Sequence, residues 1–442
     1  MSSMSGDGLF GPCDELVFEP TRDAAQRRIA AVRPSEYART RNAINGSVSR
    51  LSPYITHGFV TLPEVYQGVA QRHVLAPDHK FVYELGWREF FHHVWEQRGD
   101  GIHESLHEGV QPDAAYSREL PADIREARTG VPAIDVAVRE LYATGYLHNH
   151  ARMWLASYVV HLRKVHWHVG AQWLYSHLLD GDLASNHLSW QWVAGTGSSK
   201  PYLFNAENVQ RYAPEEWHSP GSVVDTSYEA LDRIARSGTP ALKRATLPPE
   251  APETAEPTIH AQPPSALGFG VLDDSSAADI SPLLEGKDVW LVHPWGLSAP
   301  PADLPAGTVT VCLALADFHR QQPWSALRWQ FVAARMRALA PDHLCWYGDA
   351  AAVSHALRSA RSVWVQADPH LRPWLALPEA GLPLAEPEAS PLVPSNVPLR
   401  VLPVERLFKP VARLCNSFSQ WWNRTALDVP AKSMSTQGTP FS

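Results

Sequence analysis

Strand-like alternation is nearly absent between residues 20 and 235, and this constrains the chain more than any other feature. The stretches "EYARTRNAINGS", "KFVYELGWREFFHHVWEQ", "AIDVAVRELYATGY", "HNHARMWLASYVVHLRKV" and "AQWLYSHLLDG" carry apolar residues three and four apart, the spacing of helices that bury one face. Further on the pattern changes. "DVWLVHPWG", "TVTVCLAL", "HLCWYGD" and "SVWVQAD" are short β-rich runs. The helical stretches "SALRWQFVAARMRALA" and "AAAVSHALRSA" separate them, which predicts a small, mainly parallel sheet. Residues 236–285 lie between the two patterns and are rich in Pro, Ala and Glu, a composition that buries too little apolar surface to order itself. The expected fold class is therefore α + α/β. An N-terminal tail (1–19) leads into a helical domain (20–235), followed by a linker (236–285), a small α/β domain (286–378) and a Pro-rich, partly helical tail (379–442), with no internal repeat.

With 45% hydrophobic residues the chain can build ordinary cores. Its first twenty residues have neither a basic region nor an apolar run, and no segment approaches the roughly 20 apolar residues of a membrane span. No membrane association and a cytoplasmic location are expected. Cys13, Cys312, Cys345 and Cys415 lie far apart, without the spacing of a disulfide framework or zinc site. A net charge of −8 and a pI near 6.2 argue against bulk electrostatic coating of nucleic acid and leave room only for a local basic groove. The 17 tryptophans imply a large aromatic core or aromatic chemistry. His92, His93, His148, His150, His166 and His168 show no metal-site spacing with a carboxylate third ligand, so they read as satisfied or surface histidines and no metal is expected.

The densest chemistry lies in "NHARM", in a tryptophan fourteen residues after its methionine, and in "LLDGDLASNHLSWQW", which packs two carboxylates, an amide and two indoles into one stretch. Taken with "SRLSPYITHG" and "ELGWREFF" upstream, this region resembles the flavin-binding core of the DNA photolyase and cryptochrome family. It is most similar to the class I cyclobutane pyrimidine dimer photolyases, over about residues 20 to 215. The resemblance implies a helical photolyase-type domain that binds FAD. Arg152 and Asp180 would pair at the isoalloxazine edge, with the Asp180-Gly181-Asp182 turn beside it, and Asn186 would face flavin N5, where an amide can donate or accept. Tyr37, Ser49, Arg50, Leu51 and Ser52 match the flavin phosphate and ribityl contacts. Val48 stands where the family usually has a hydroxyl residue, which Ser47 could replace.

Trp190 and Trp167 match the proximal and middle members of the family's electron-transfer chain, although by themselves both read as core tryptophans. The position of the outer, exposed tryptophan falls at Ala114, with Tyr116 close by; Trp154 or Trp173 could serve a different route. The resemblance also implies a lesion pocket. A dimer must be flipped out of the duplex to reach a buried flavin, and it then needs aromatic walls and polar contacts to its base edges. Glu84, Trp87, Arg88, Asn149, Arg152, Met153 and Trp192 match that set, with Glu84, Asn149 and Met153 shaping the site and Trp87 and Trp192 stacking on the lesion. Glu84 and Trp87 sit three apart on one helix face. Asn149 and Met153 stand where (6-4) photolyases carry a histidine pair, which favours a cyclobutane dimer. Arg41, Lys200 and Arg211 could reach phosphates at the rim, or could form a solvated face.

Family members ordinarily begin with an α/β antenna domain. Here "CLALADFHRQQPW" and the residues after it loosely resemble the middle of that domain, placed after the helical part, so a rearranged architecture is expected. The family's W-F-R-x-D-L-R motif is missing, and a second, antenna chromophore stays an open question. The implied activity is light-driven repair of cyclobutane pyrimidine dimers in DNA by electron transfer from excited reduced FAD. The alternatives are a cryptochrome-like blue-light photoreceptor that binds FAD without repair, and a flavoprotein kept for DNA or protein binding. The implied partner is DNA containing pyrimidine dimers; nothing in the sequence names a protein partner.

Overall fold

A computed structural model of the chain describes residues 18–241, 254–375 and 390–428. Most of the expected N-terminal tail, part of the linker and parts of the C-terminal tail lie outside these residues, as does Cys13.

The helical part follows its sequence signals closely. Helix Pro132–Thr144 starts with proline in its first turn, where the missing N–H costs nothing, and its apolar residues Ile134, Val138 and Leu141 recur on one buried face. Helices Lys80–Arg98, Asn149–Ser157, Trp167–His177 and Leu183–Ala194 surround the candidate site. The last of these is capped by Asp182 and ends at Gly195, whose φ of 80° is the left-handed conformation that glycine adopts without a Cβ clash.

The C-terminal part is built on a six-stranded sheet, ordered β2 (Gly270–Leu272), β6 (Cys345–Gly348), β4 (Val309–Leu315), β3 (Asp288–Val292), β7 (Ser362–Gln366) and β8 (Leu399–Leu402), all parallel. The four sequence-predicted strands are β3, β4, β6 and β7. They are buried runs, as sheets covered on both faces require. A separate antiparallel pair joins β1 (Ile259–His260) to β5 (Trp324–Ser325).

Strand order reverses between β3 and β7, where open α/β sheets bind ligands at their carboxyl ends. Here side chains take up that crevice. Trp295, just after β3, stacks on His370, just after β7, at 4.0 Å and 5°. Trp95 of helix Lys80–Arg98 meets the same imidazole edge-on at 4.8 Å.

Two expectations from composition need correcting. The segment from residue 254 to 285 is no free linker: it supplies β1 and β2, and the Glu256 carboxylate accepts from Arg125 (3.0 Å) and from the Trp173 indole (3.0 Å). It orders by docking on its neighbours, which composition alone does not reveal. The C-terminal segment likewise adds β8 to the sheet edge and sends helix Phe418–Trp422 onto helix Lys80–Arg98. The two parts share one apolar core, in which Phe331 from helix Ala326–Leu339 stacks on Phe59 at 5.1 Å and meets Tyr54 at 5.7 Å.

Candidate functional site

A cavity of about 530 Å3 opens between the helices, within the size range of cofactor and small-molecule sites. Most of the residues singled out in the sequence line it. Tyr37, Ser49, Arg50 and Ser52 stand at one end, Arg152, Asp180, Asp182, Asn186 and Trp190 in the middle, and Glu84, Trp87, Arg88, Asn149, Met153 and Trp192 along the remaining wall. A second cavity of about 650 Å3 shares Tyr37, Val48, Ser49 and Arg50 with the first and adds Ser47. Arg50 sits at this junction with φ of 47°, a conformation that costs a non-glycine residue about 1–3 kcal/mol and is kept where the surroundings over-determine it.

Two carboxylates organise the middle of the cavity. Asp180 takes both hydrogen bonds of one Arg152 amino group, at 2.8 and 2.9 Å, while Arg152 Nε donates to the Leu147 carbonyl at 2.8 Å. Asp182 has a double role. Its Oδ1 caps helix Leu183–Ala194 through the Ser185 N–H at 2.7 Å, and its Oδ2 accepts from His92 at 2.6 Å and Arg88 at 3.1 Å. Burial by itself would raise the Asp182 carboxyl, but His92 and Arg88 outweigh it and hold the group well below the usual carboxylate range. Burial also opposes a charge on His92, yet Asp182 beside it raises the imidazole. The site therefore keeps a fixed anion flanked by the Arg88 guanidinium and by an imidazole whose protonation that anion favours. His92 lies four residues after Arg88, on the same helix face, and that spacing is the signal by which sequence reasoning could have found it.

Asn186 Nδ2 donates to the Ala171 carbonyl at 2.8 Å, which fixes the amide and leaves Oδ1 without a partner among the described residues. Trp190 is buried against Gly170, where a Cβ would come within 2.4 Å of its ring, so helix Trp167–His177 needs glycine there to seat the indole. At the other end Glu84 pairs with Arg41 at 3.0 Å; burial raises its carboxyl and Arg41 opposes the rise.

Three of the candidate electron-transfer, cofactor and lesion residues are not among those lining the cavity. Leu51 is buried in the apolar core. Gly181 faces the other way: its carbonyl accepts from Arg328 Nη2 at 2.5 Å, and a Cβ there would lie 2.4 Å from that guanidinium. Its role is to admit Arg328. Trp167 lies one layer back, donating to Ser105 Oγ at 3.0 Å, with the His166 ring at 5.7 Å; Tyr116 reaches His166 at 6.3 Å. Ala114 is exposed. Lys200 and Arg211 are outside the cavity lining, while Arg41 is part of it.

Residues 81–222 match the family described as the FAD binding domain of DNA photolyase. A deoxyribodipyrimidine photo-lyase of Streptomyces griseus is 36% identical over 205 residues, 42% of this chain and 44% of that protein. One from Thermus thermophilus is 35% identical over 232 residues, 49% and 54% respectively. A cryptochrome DASH of Gloeobacter violaceus is 30% identical over 169 residues, 37% of this chain and 34% of its own. The chain thus spans about half the length, or less, of these relatives. Residues 81–222 are thus similar to the FAD binding domain of DNA photolyase.

The residues present fit FAD. The two neighbouring cavities give room for a dinucleotide, the Arg152–Asp180 pair and the free Asn186 Oδ1 offer polar contacts to a flat heteroaromatic edge, and Ser49, Arg50 and Ser52 gather hydroxyls and a guanidinium for phosphate. No helix among the described residues is long and apolar enough to cross a membrane.

Proposed function

We propose that this chain is a light-driven photolyase that repairs cyclobutane pyrimidine dimers in DNA. The observation that carries this reading is one cavity whose wall joins the flavin-type contacts Arg152, Asp180 and Asn186 to the lesion-type side chains Glu84, Trp87, Asn149, Met153 and Trp192. FAD held by these residues would, when reduced, supply the light-driven electron chemistry that opens the cyclobutane ring. The protein's own residues bind and orient. Arg152 and Asp180 form a neutral pair that holds the cofactor edge without adding net charge, and Asp182 keeps its charge through His92 and Arg88. Half-exposed Trp87 and exposed Trp192 offer the ring faces on which a flipped base stacks, each worth about 1–3 kcal/mol. Glu84, with its raised carboxyl, can hold a proton toward a base edge more readily than a surface glutamate. Asn149 and Met153, with no ring nitrogen to act as proton donor, favour a cyclobutane dimer over a (6-4) product.

The sheet of residues 270–402 is the antenna-type domain of this reading, set after the helical part. The Trp295–His370 stack in its crevice argues against a pigment bound there.

The test is repair of a dimer-containing oligonucleotide by chemically reduced protein under near-UV to blue light, with a dark control. Light-dependent repair is the expected result; flavin bound without repair overturns it. A second reading, a cryptochrome-like photoreceptor, is favoured by one observation: Ala114 occupies the outer position of the tryptophan chain.

A further inference from the structure

Three histidines that lie far apart in the sequence, His103, His168 and His187, converge beside Trp167. Their ring nitrogens lie within 4.8 Å of one another. Each is delivered by a separate element. Gln191 clasps the segment carrying His103, donating to the carbonyls of Ile102 and Glu104 at 2.9 Å each and accepting from the Leu106 N–H at 2.8 Å. His168 stands in the first turn of helix Trp167–His177, and His187 on helix Leu183–Ala194.

His187 is the informative member. It is completely buried, its Nδ1 donates to the Leu183 carbonyl at 3.0 Å, and its Nε2 is buried without a hydrogen-bond partner. A metal-ligating histidine characteristically donates its second nitrogen to a backbone carbonyl, which fixes the tautomer and points the lone pair at the ion. An orphaned imidazole nitrogen in the interior is otherwise destabilising.

We infer that His103, His168 and His187 form a binding site for a divalent ion of the zinc class. Three imidazoles with no thiolate suit zinc and its neighbours, and leave a fourth position for water. Zinc–nitrogen bonds of about 2.0–2.1 Å require the three nitrogens to draw in to about 3.4 Å. His103 and His168 are half-buried and can make that adjustment, and they give the ion a route from solvent.

The experiment uses the full chain, stripped with chelator and titrated with Zn2+ or Co2+ alone. His103→Ala and His168→Ala remove half-buried ligands and leave the buried His187 in place; retained far-UV dichroism and flavin content show that each variant is folded. The expected result is one equivalent of Zn2+ bound, a tetrahedral Co2+ spectrum, and affinity lowered more than about 100-fold in each variant, beyond the loss typical of an outer-shell partner. Wild-type protein that binds Zn2+ no more tightly than the folded double variant would overturn the site. So would a Co2+ spectrum that neither substitution changes.

Discussion

The indole of Trp87 lies parallel to the ring of Phe418, 4.2 Å away and tilted by 13°. Trp87 lines the cavity and Phe418 opens the C-terminal helix, so a segment more than three hundred residues downstream braces one face of the proposed stacking residue. Phe418 is itself buried. Replacing it with alanine should cost about 3–5 kcal/mol of stability. Phe418→Leu should retain the fold yet weaken lesion binding several-fold, by freeing the Trp87 rotamer. Denaturant melts together with oligonucleotide titrations measure both, and unchanged lesion affinity in the leucine variant would separate the brace from recognition.

Trp87→Ala should reduce affinity for a dimer-containing oligonucleotide by about 1–3 kcal/mol, the value of one base–aromatic stack, while leaving flavin content intact. Fluorescence anisotropy with damaged and undamaged strands distinguishes lesion recognition from general DNA binding.

Electron entry should run through the layered rings. Trp190→Phe and Trp167→Phe should each slow flavin photoreduction. Tyr116→Phe should slow it as well, because Tyr116 adjoins Trp167 through His166. Gly170→Ala should act like a Trp190 variant, since the added methyl would occupy the place of that ring. Absorbance under continuous blue light with an external reductant reads all four.

Arg328 is fully buried, lies 3.9 Å from the centre of the Trp324 ring, and donates to the Tyr175 and Gly181 carbonyls at 3.2 and 2.5 Å. It holds the Asp180-Gly181-Asp182 turn from behind. Arg328→Met leaves two carbonyls unpartnered and should cost roughly 2–4 kcal/mol. The turn's carboxylates would shift with it, so flavin should be lost during gel filtration under conditions where the wild type retains it.

Glu89 is buried beneath the C-terminal segment and accepts from the Leu407 and Phe408 N–H groups at 2.5 and 3.3 Å. Burial raises its carboxyl to about 7, against the pull of those hydrogen bonds and Arg406. The folded protein thus holds a proton that the unfolded chain releases near 4.5, and stability should fall as pH rises between those values, by at most roughly 3 kcal/mol. Glu89→Gln should flatten that slope in unfolding midpoints measured from pH 5 to 8.

Helices such as Pro132–Thr144 and the strands β3, β4, β6 and β7 were legible in the sequence because periodicity and β-branched runs are local properties. Arg152, Asp180, Asp182 and Asn186 were singled out by another route, the resemblance of "NHARM" and "LLDGDLASNHLSWQW" to the photolyase and cryptochrome family. Only the tertiary structure decided what stands behind them. Gly181 serves Arg328, which is 147 residues away; Glu256 fastens a stretch whose composition reads as linker; and His103, His168 and His187 meet from three separate elements. Such contacts arise from packing between distant segments, where partner choice depends on shape and unsatisfied polar groups, and neither leaves a periodic trace in the chain.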